Sequence, residues 1–136
     1  MARFRNGENA IELCTIGHSL GAAVALDFAA RNGAQRIVAI APFTTLREAA
    51  SAVVGPLSRL LIENYDNGKS IEKIHRRNPH AAIAIFHGTD DRIVPFRVGA
   101  ELARRFSFVA FFPIKGADHV SVLDIARQRI IGWMNS

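Results

Sequence analysis

The stretch IELCTIGHSLG, residues 11–21, decides the fold. Ile11–Ile16 is mostly apolar and predicts a strand that ends at Gly17. The small, apolar residues 19–31 predict a helix, which Asn32-Gly33 ends. A strand, a glycine-bounded turn and a helix therefore follow one another without a spacer, as they do in α/β folds.

The turn itself reads Gly17-His18-Ser19-Leu20-Gly21, which fits the pattern G-x-S-x-G. Glycines two residues either side of the serine leave room for a tight turn that holds Ser19 at a strained backbone angle with its hydroxyl outward. The backbone amide of Leu20, at the start of the helix, can donate to a developing anion. The alternative is a purely structural glycine-rich turn.

Three further apolar runs predict strands: Arg36–Ile40, Ala82–Phe86 and Phe108–Phe112, the last closed by Pro113. They are almost continuously apolar, which is typical of strands buried on both faces of a parallel sheet. Helices predicted at Arg97–Phe106 and Val122–Trp133 complete an α/β fold of about four parallel strands with helices on both faces. All strand carboxyl ends should then meet at one edge, where functional groups collect.

The long connection between the second and third strands predicts a small cap-like helical insertion over residues 43–79, within one domain that spans residues 1–136. Asp66-Asn67-Gly68 predicts a polar turn inside it, followed by a short helix at Ser70–Arg76. The connection is too short for a large lid, which favours small acyl groups in any site beneath it.

Two more polar segments follow strands: HGTDDRIVP at residues 87–95 and GADH at residues 116–119. A serine hydroxyl becomes a useful nucleophile when a histidine removes its proton, and that histidine needs a carboxylate to fix its tautomer. Ser19, Asp91 and His119 occur in that order, each after a different strand. Asp90 is the alternative acid if the register of its loop slips by one residue.

These motifs resemble the C-terminal half of an α/β-hydrolase of the esterase/lipase type. HGTDDRIVP resembles the family's H-G-x-x-D-x-x-V-P acid loop, GADH its G-x-x-H loop, and APFT at residues 41–44 the segment after the strand that follows the serine turn. The resemblance implies a nucleophile at Ser19, an acid at Asp91, a base at His119 and an oxyanion donor at the Leu20 N–H. It also implies a truncated fold, because four strands and one helix that usually precede the serine turn have no counterpart here.

The resemblance implies a carboxylic ester hydrolase (EC 3.1.1.-) that cleaves small or short-chain esters or thioesters through an acyl-enzyme on Ser19. Amidase, peptidase and peroxidase activities occur on the same fold and stay open. The missing strands would carry the second oxyanion donor, whose loss costs about 10²–10³ in rate. The alternative is therefore a weakly active or inactive hydrolase fragment that acts only as a self-associating module.

Composition and charge also bear on nucleic-acid binding, membrane insertion, location and cofactors. The 17 Lys and Arg residues exceed the 12 Asp and Glu residues to give a net charge of +5, but they are scattered, so we expect no nucleic-acid binding. We expect no membrane span and, from the polar start, a cytoplasmic location. The lone Cys14, in a strand, is expected to be an inert buried thiol, and no spacing suggests a metal or other cofactor.

Two histidines beside these motifs have an ordinary structural interpretation. His18 precedes the nucleophile and is expected to pack or donate a hydrogen bond, and His87 ends a buried strand as a structural histidine.

The missing strands also bear on assembly. Without them, Ile11–Ile16 becomes an apolar edge strand, and the sheet face on the side of Val122–Trp133 loses a covering helix and should expose an apolar patch. We therefore expect a homodimer or larger symmetric oligomer formed through this edge and the exposed face.

Overall fold

The computed structural model of the chain describes residues 12–45 and 65–136. Its strands and helices alternate along the chain in the order β1, α1, β2, α2, β3, α3, β4, α4, α5. The strands are β1 Cys14–His18, β2 Arg36–Ile40, β3 Ala82–Gly88 and β4 Val109–Ile114; the helices are α1 Leu20–Asn32, α2 Asn67–Arg77, α3 Phe96–Arg104, α4 Val122–Ile125 and α5 Arg127–Met134. Over these two ranges, no helix is long and apolar enough to cross a membrane.

The four strands form one parallel sheet in the order β1-β2-β3-β4, which confirms the predicted α/β architecture. Alternate residues of β2 and β3 enter two separate cores, because successive side chains of a strand point to opposite faces. Ile37 and Ile83 pack with α1, α2 and α3 on one face. Val38 and Ala84 pack with α4 and α5 on the other. Helices thus cover both faces of the sheet.

A hydrogen bond beyond each of the first three strands aligns the carboxyl ends of the sheet. The backbone N–H of Ser19 donates to the Ile40 carbonyl, that of Ala41 to Phe86 and that of Thr89 to Ile114, at 2.8, 2.8 and 3.1 Å. Each donor is the first residue after its strand. The loops that follow the strands consequently leave the sheet from one common edge.

Strand boundaries differ from the expected ones at both outer strands. β1 begins at Cys14 and runs through Gly17 and His18, which pair with β2. The predicted strand Ile11–Ile16 therefore ends two residues too early, and it starts too early because Glu12 and Leu13 are not part of β1. Ile11 itself lies outside the described residues. β4 continues through Pro113 to Ile114. Proline is tolerated there because β4 pairs only with β3 in the described sheet, and an outer strand can lack one N–H donor.

Two helix predictions also need correction. Asp66 does not begin a turn but caps α2, since its side chain accepts a hydrogen bond from the Lys69 N–H at 3.0 Å. The helix predicted at Val122–Trp133 breaks at Ala126 into α4 and α5. The buried side chains of the two pieces are Val122, Ala126 and Ile130, whereas Leu123 is exposed.

The predicted cap-like insertion at residues 43–79 is described only in part. Its residues 46–64 lie outside the described residues. Helix α2 belongs to the layer that covers the sheet, because Ile71 and Ile74 are buried in the same core as α1. The cap and the single domain over residues 1–136 remain predictions.

The two glycines of the serine turn should respond differently to substitution. A Cβ at Gly17 would lie 2.0 Å from the Gly21 carbonyl oxygen, whereas a Cβ at Gly21 would meet nothing within 4 Å. We expect Gly17→Ala to lower the free energy of unfolding by about 2–3 kcal/mol or more. Gly21→Ala, the matched control in α1, should be neutral or stabilising by up to about 1 kcal/mol. Urea unfolding measures both, and equal tolerance of the two variants would contradict the close approach.

Candidate active site

Three polar side chains from three strand ends form one hydrogen-bonded chain. His119 lies between the other two: its Nδ1 is 2.8 Å from Asp91 Oδ2, and its Nε2 is 2.9 Å from Ser19 Oγ. Because an ionised carboxylate only accepts, Nδ1 carries the hydrogen, which leaves Nε2 free to accept from the Ser19 hydroxyl. The sequence separates these residues by up to 100 positions. The structure therefore brings together the three side chains that the motifs singled out.

Ser19 adopts a backbone conformation that favours glycine, with φ 56° and ψ −118°. Its N–H is fixed by the bond to Ile40 at the end of β2. Leu20 is the first residue of α1, so its N–H belongs to the first turn, where helix amides have no intrahelical acceptor. An anion formed next to Ser19 would thus meet this amide and the positive end of the helix dipole.

The carboxylate that contacts His119 is that of Asp91 and not that of its neighbour Asp90. Asp91 is buried, and its Oδ1 accepts from the N–H groups of Ile93 and Val94 at 2.9 and 2.8 Å. Asp90 is exposed and only meets the Thr89 hydroxyl at 3.4 Å. Two fixed backbone donors on one oxygen leave the other, Oδ2, directed at His119.

Asp118, which directly precedes His119, makes its hydrogen bonds within its own loop. Its Oδ1 accepts from the N–H groups of Val120 and Ser121 at 2.9 and 2.8 Å. These hydrogen bonds, that of Ser121 first, hold the pKa of Asp118 below its ordinary value of 3.8. Asp118 therefore stays charged and fixes the shape of the His119 loop.

His18 makes the hydrogen bond that was expected of it, and it does so across the site. Its Nε2 donates to the His119 backbone carbonyl at 2.6 Å, and the two rings are 4.7 Å apart. The serine turn is thereby joined to the loop that carries the histidine. Motif matching could not reveal this contact, because its two partners lie 101 residues apart.

His87 is fully buried and closer to the acid than the sequence suggested. Its Nε2 donates to the Val94 carbonyl at 2.9 Å and lies 3.4 Å from Asp91 Oδ2. Burial lowers the pKa of His87 below its ordinary value of 6.5, so the ring is neutral near neutral pH. Cys14, expected to be buried, is only half-buried and has a free thiol.

An open cavity of about 490 Å³ adjoins His119. Ile93 and Val120 give it an exposed apolar wall, while Asp90, Arg92 and Asp118 give it charges of both signs. Within the described ranges, no group of three or more His, Cys, Asp and Glu side chains is arranged to hold a metal ion.

Comparison with other proteins was made by sequence and by structure. The sequence matches no family profile. Over 88 residues it is 38% identical to an uncharacterized protein of Mycobacterium tuberculosis, a match that covers 63% of this chain and 30% of that protein. The chain thus spans under a third of the length of this curated relative.

Solved structures match over almost the whole chain. The esterase domain of a Rhodothermus marinus protein matches with a TM-score of 0.65 and 18% identity, over 88% of this chain and 59% of that one. Est1E from Butyrivibrio proteoclasticus, with ferulic acid bound, gives 0.73 and 15%, over 91% and 59%. The Paleococcus ferrophilus monoacylglycerol lipase gives 0.54 and 17%, over 90% and 68%. These likenesses show the fold, and the chain spans about three fifths of the first two.

The strain at Ser19 predicts an unusual order of stabilities. Glycine accepts a positive φ without the steric cost that a Cβ incurs, whereas alanine retains that cost. We expect Ser19→Gly to be more stable than Ser19→Ala by about 1–2 kcal/mol in urea unfolding. Ser70→Gly, inside the regular helix α2, is the control and should instead destabilise by up to about 1 kcal/mol. A Ser19→Gly variant less stable than Ser19→Ala would contradict the strained conformation.

Proposed function

Because the chain has the C-terminal part of an α/β-hydrolase fold, we propose that it is a serine hydrolase that cleaves carboxylic esters with small or short acyl chains. The observation that carries the proposal is the continuous chain of hydrogen bonds from Asp91 through His119 to Ser19. A packing role alone does not require a strained serine in line with a histidine and a buried carboxylate. The esterase and lipase neighbours support ester cleavage as the reaction class.

In the first half of the reaction, Ser19 Oγ attacks the acyl carbonyl while His119 Nε2 takes its proton. The charge on His119 is stabilised by Asp91, which is held in place by its two backbone donors. The negative charge on the carbonyl oxygen is stabilised by the Leu20 N–H at the start of α1. His119 then returns the proton to the departing alkoxide or thiolate, which leaves an acyl-enzyme on Ser19.

In the second half, a water molecule attacks the acyl-enzyme and gives its proton to His119. The acid is released, and the proton returns to Ser19 Oγ, so the enzyme is regenerated. No cofactor is needed for either step. The short connection between Pro42 and Pro79 favours small acyl groups, and the apolar wall of Ile93 and Val120 offers a surface for an apolar part of the substrate.

Covalent labelling tests the nucleophile directly. We expect a fluorophosphonate probe to label the wild-type chain at Ser19, and Ser19→Ala to abolish both labelling and hydrolysis of 4-nitrophenyl acetate. Rates should fall from acetate and butyrate to octanoate. An intact, folded wild-type chain that takes no label would favour the alternative, an inactive hydrolase fragment that acts as a self-associating module.

Two adjacent carboxylates provide a matched control for the acid. Asp91→Asn should lower kcat by roughly 10²–10⁴, because the amide cannot hold His119 in its required tautomer. Asp90→Asn should leave kcat within about twofold, since Asp90 is exposed and does not contact His119. If Asp90→Asn is the damaging change and Asp91→Asn is silent, Asp91 is not the acid.

We further propose that the chain forms a homo-oligomer through the β1 edge and the apolar surface beside it. In the described sheet, β1 pairs only with β2. Ile16 on this strand is 50% exposed, and its partner Val38 lies in the core beneath α4 and α5, so Ile16 lies on the sheet face that was expected to be bare. Ile125 and Ile131, on the helices of that same face, are 56% and 46% exposed. A second copy would cover these side chains, and it could also bring the second oxyanion donor to Ser19.

Light scattering coupled to size-exclusion chromatography tests this assembly. We expect a dimer or larger species at micromolar concentration, and Ile16→Lys should shift it towards the monomer because a charge would be buried in the interface. Glu101→Lys is the control, since Glu101 is exposed on α3, which packs against β3 and β4 away from the β1 edge. A clean wild-type monomer would refute the assembly. Activity that falls on dilution together with the oligomer would support completion of the site by the partner.

A further inference from the structure

The buried carboxylate of Asp91 accepts three hydrogen bonds and has a fourth N–H group nearby. Oδ1 accepts from the Ile93 and Val94 N–H groups, and Oδ2 accepts from His119 Nδ1 at 2.8 Å. The fourth group is His87 Nε2, 3.4 Å from Oδ2. This contact is longer than an ordinary hydrogen bond, because His87 Nε2–H donates to the Val94 carbonyl at 2.9 Å.

The surroundings of His87 fix which of its nitrogens carries the hydrogen. The Val94 carbonyl can only accept, so Nε2 is protonated and donates to it. Nδ1 is buried and has no hydrogen-bond partner in the described part of the chain. A second hydrogen, on Nδ1, would therefore be buried without an acceptor, which keeps the ring neutral and in one tautomer.

The ring is also held sterically. A Cβ at Gly99 on α3 would lie 2.1 Å from His87 Nδ1, so the helix backbone passes directly against the ring. Phe96, at the start of α3, meets the ring edge-on with centroids 5.9 Å apart. The charged or titratable groups that act on His87 in this packing are Asp91 and His119. His87 can consequently neither rotate away from the carboxylate nor exchange its donor for another partner.

We propose that His87 is a positioning residue for the hydrolysis: its Nε2–H holds the Val94 carbonyl, and so fixes the turn whose N–H groups orient the Asp91 carboxylate towards His119. This inference rests on the proposed function, because the orientation matters only if His119 acts as a base. The bond ties the Asp91–Val94 turn to the end of β3. Without it, the turn would be free to shift, and the Asp91 carboxylate would lose the fixed donors that set its rotation.

A pair of substitutions separates this role from simple packing. His87→Phe keeps an aromatic ring in the buried space but removes the donor, and His87→Gln restores an N–H group near the position of Nε2. We expect His87→Phe to lower kcat about 10- to 100-fold with KM within twofold, since only the orientation of His119 changes. His87→Gln should recover most of that loss. Phe96→Leu, which alters packing on the same ring, is the control and should leave kcat within about threefold.

A spectroscopic measurement covers the case in which turnover is not informative. The low-field proton resonance of His119 Nδ1–H reports its hydrogen bond to Asp91, and we expect it to shift or broaden in His87→Phe but not in Phe96→Leu. A wild-type chain that takes no fluorophosphonate label refutes the proposed function. A labelled wild type, with unchanged kcat and an unchanged resonance in His87→Phe, refutes the positioning role.

The tautomer can be tested without any variant, which matters if His87→Phe does not fold. Nitrogen-15 chemical shifts of the wild-type histidines should show His87 protonated at Nε2 and bare at Nδ1 at neutral pH. A His87 ring that carries its hydrogen on Nδ1, or that is doubly protonated at pH 7, would overturn the inference.

Discussion

The site depends on the bond from the Ser19 backbone N–H to the Ile40 carbonyl, 2.8 Å long, which is the last contact between β1 and β2. This bond fixes the point at which the chain leaves the sheet, and it holds Ser19 at a positive φ that a serine does not otherwise favour. Ala41, in the equivalent position after β2, also has a positive φ and donates to Phe86 on β3. Neighbouring strands therefore end in the same strained way, and the sheet provides the bonds that offset the strain.

Strain at these positions is tolerable because the surrounding structure leaves little alternative. Gly17 packs so closely on the Gly21 carbonyl that α1 must begin immediately after the serine. Gly88 approaches the Ala117 carbonyl in the same manner, which presses the acid loop against the histidine loop. These two backbone contacts help to bring the loops of Ser19, Asp91 and His119 close together. The hydrogen bonds between the three side chains form across that short distance.

The sequence predicted what local patterns encode. Continuous apolar runs predicted four parallel strands, and the positions of Ser19, Asp91 and His119 after three of them predicted a common edge. Prediction from the sequence failed where one local pattern fits two structures and the rest of the fold decides between them. Asp66-Asn67-Gly68 has the composition of a turn, yet the Asp66 side chain caps a helix whose Ile71 and Ile74 are buried. Pro113 normally closes a strand, yet β4 can include it because of its outer position. The contact of His87 with Asp91 has no sequence signal, since it depends on a distance between a strand end and a loop.

His18 and His87 share a principle that the motifs alone do not express. Each uses one Nε2–H to donate to a backbone carbonyl of a loop in the site: His18 to that of His119, and His87 to that of Val94. A single imidazole hydrogen is a stricter constraint than apolar packing, because it is directional and is lost on rotation of the ring. The His18 bond joins the histidine loop to the serine turn, and the His87 bond holds the Asp91–Val94 turn against the end of β3. The geometry of the site therefore depends on these two rings as well as on the three side chains of the hydrogen-bonded chain.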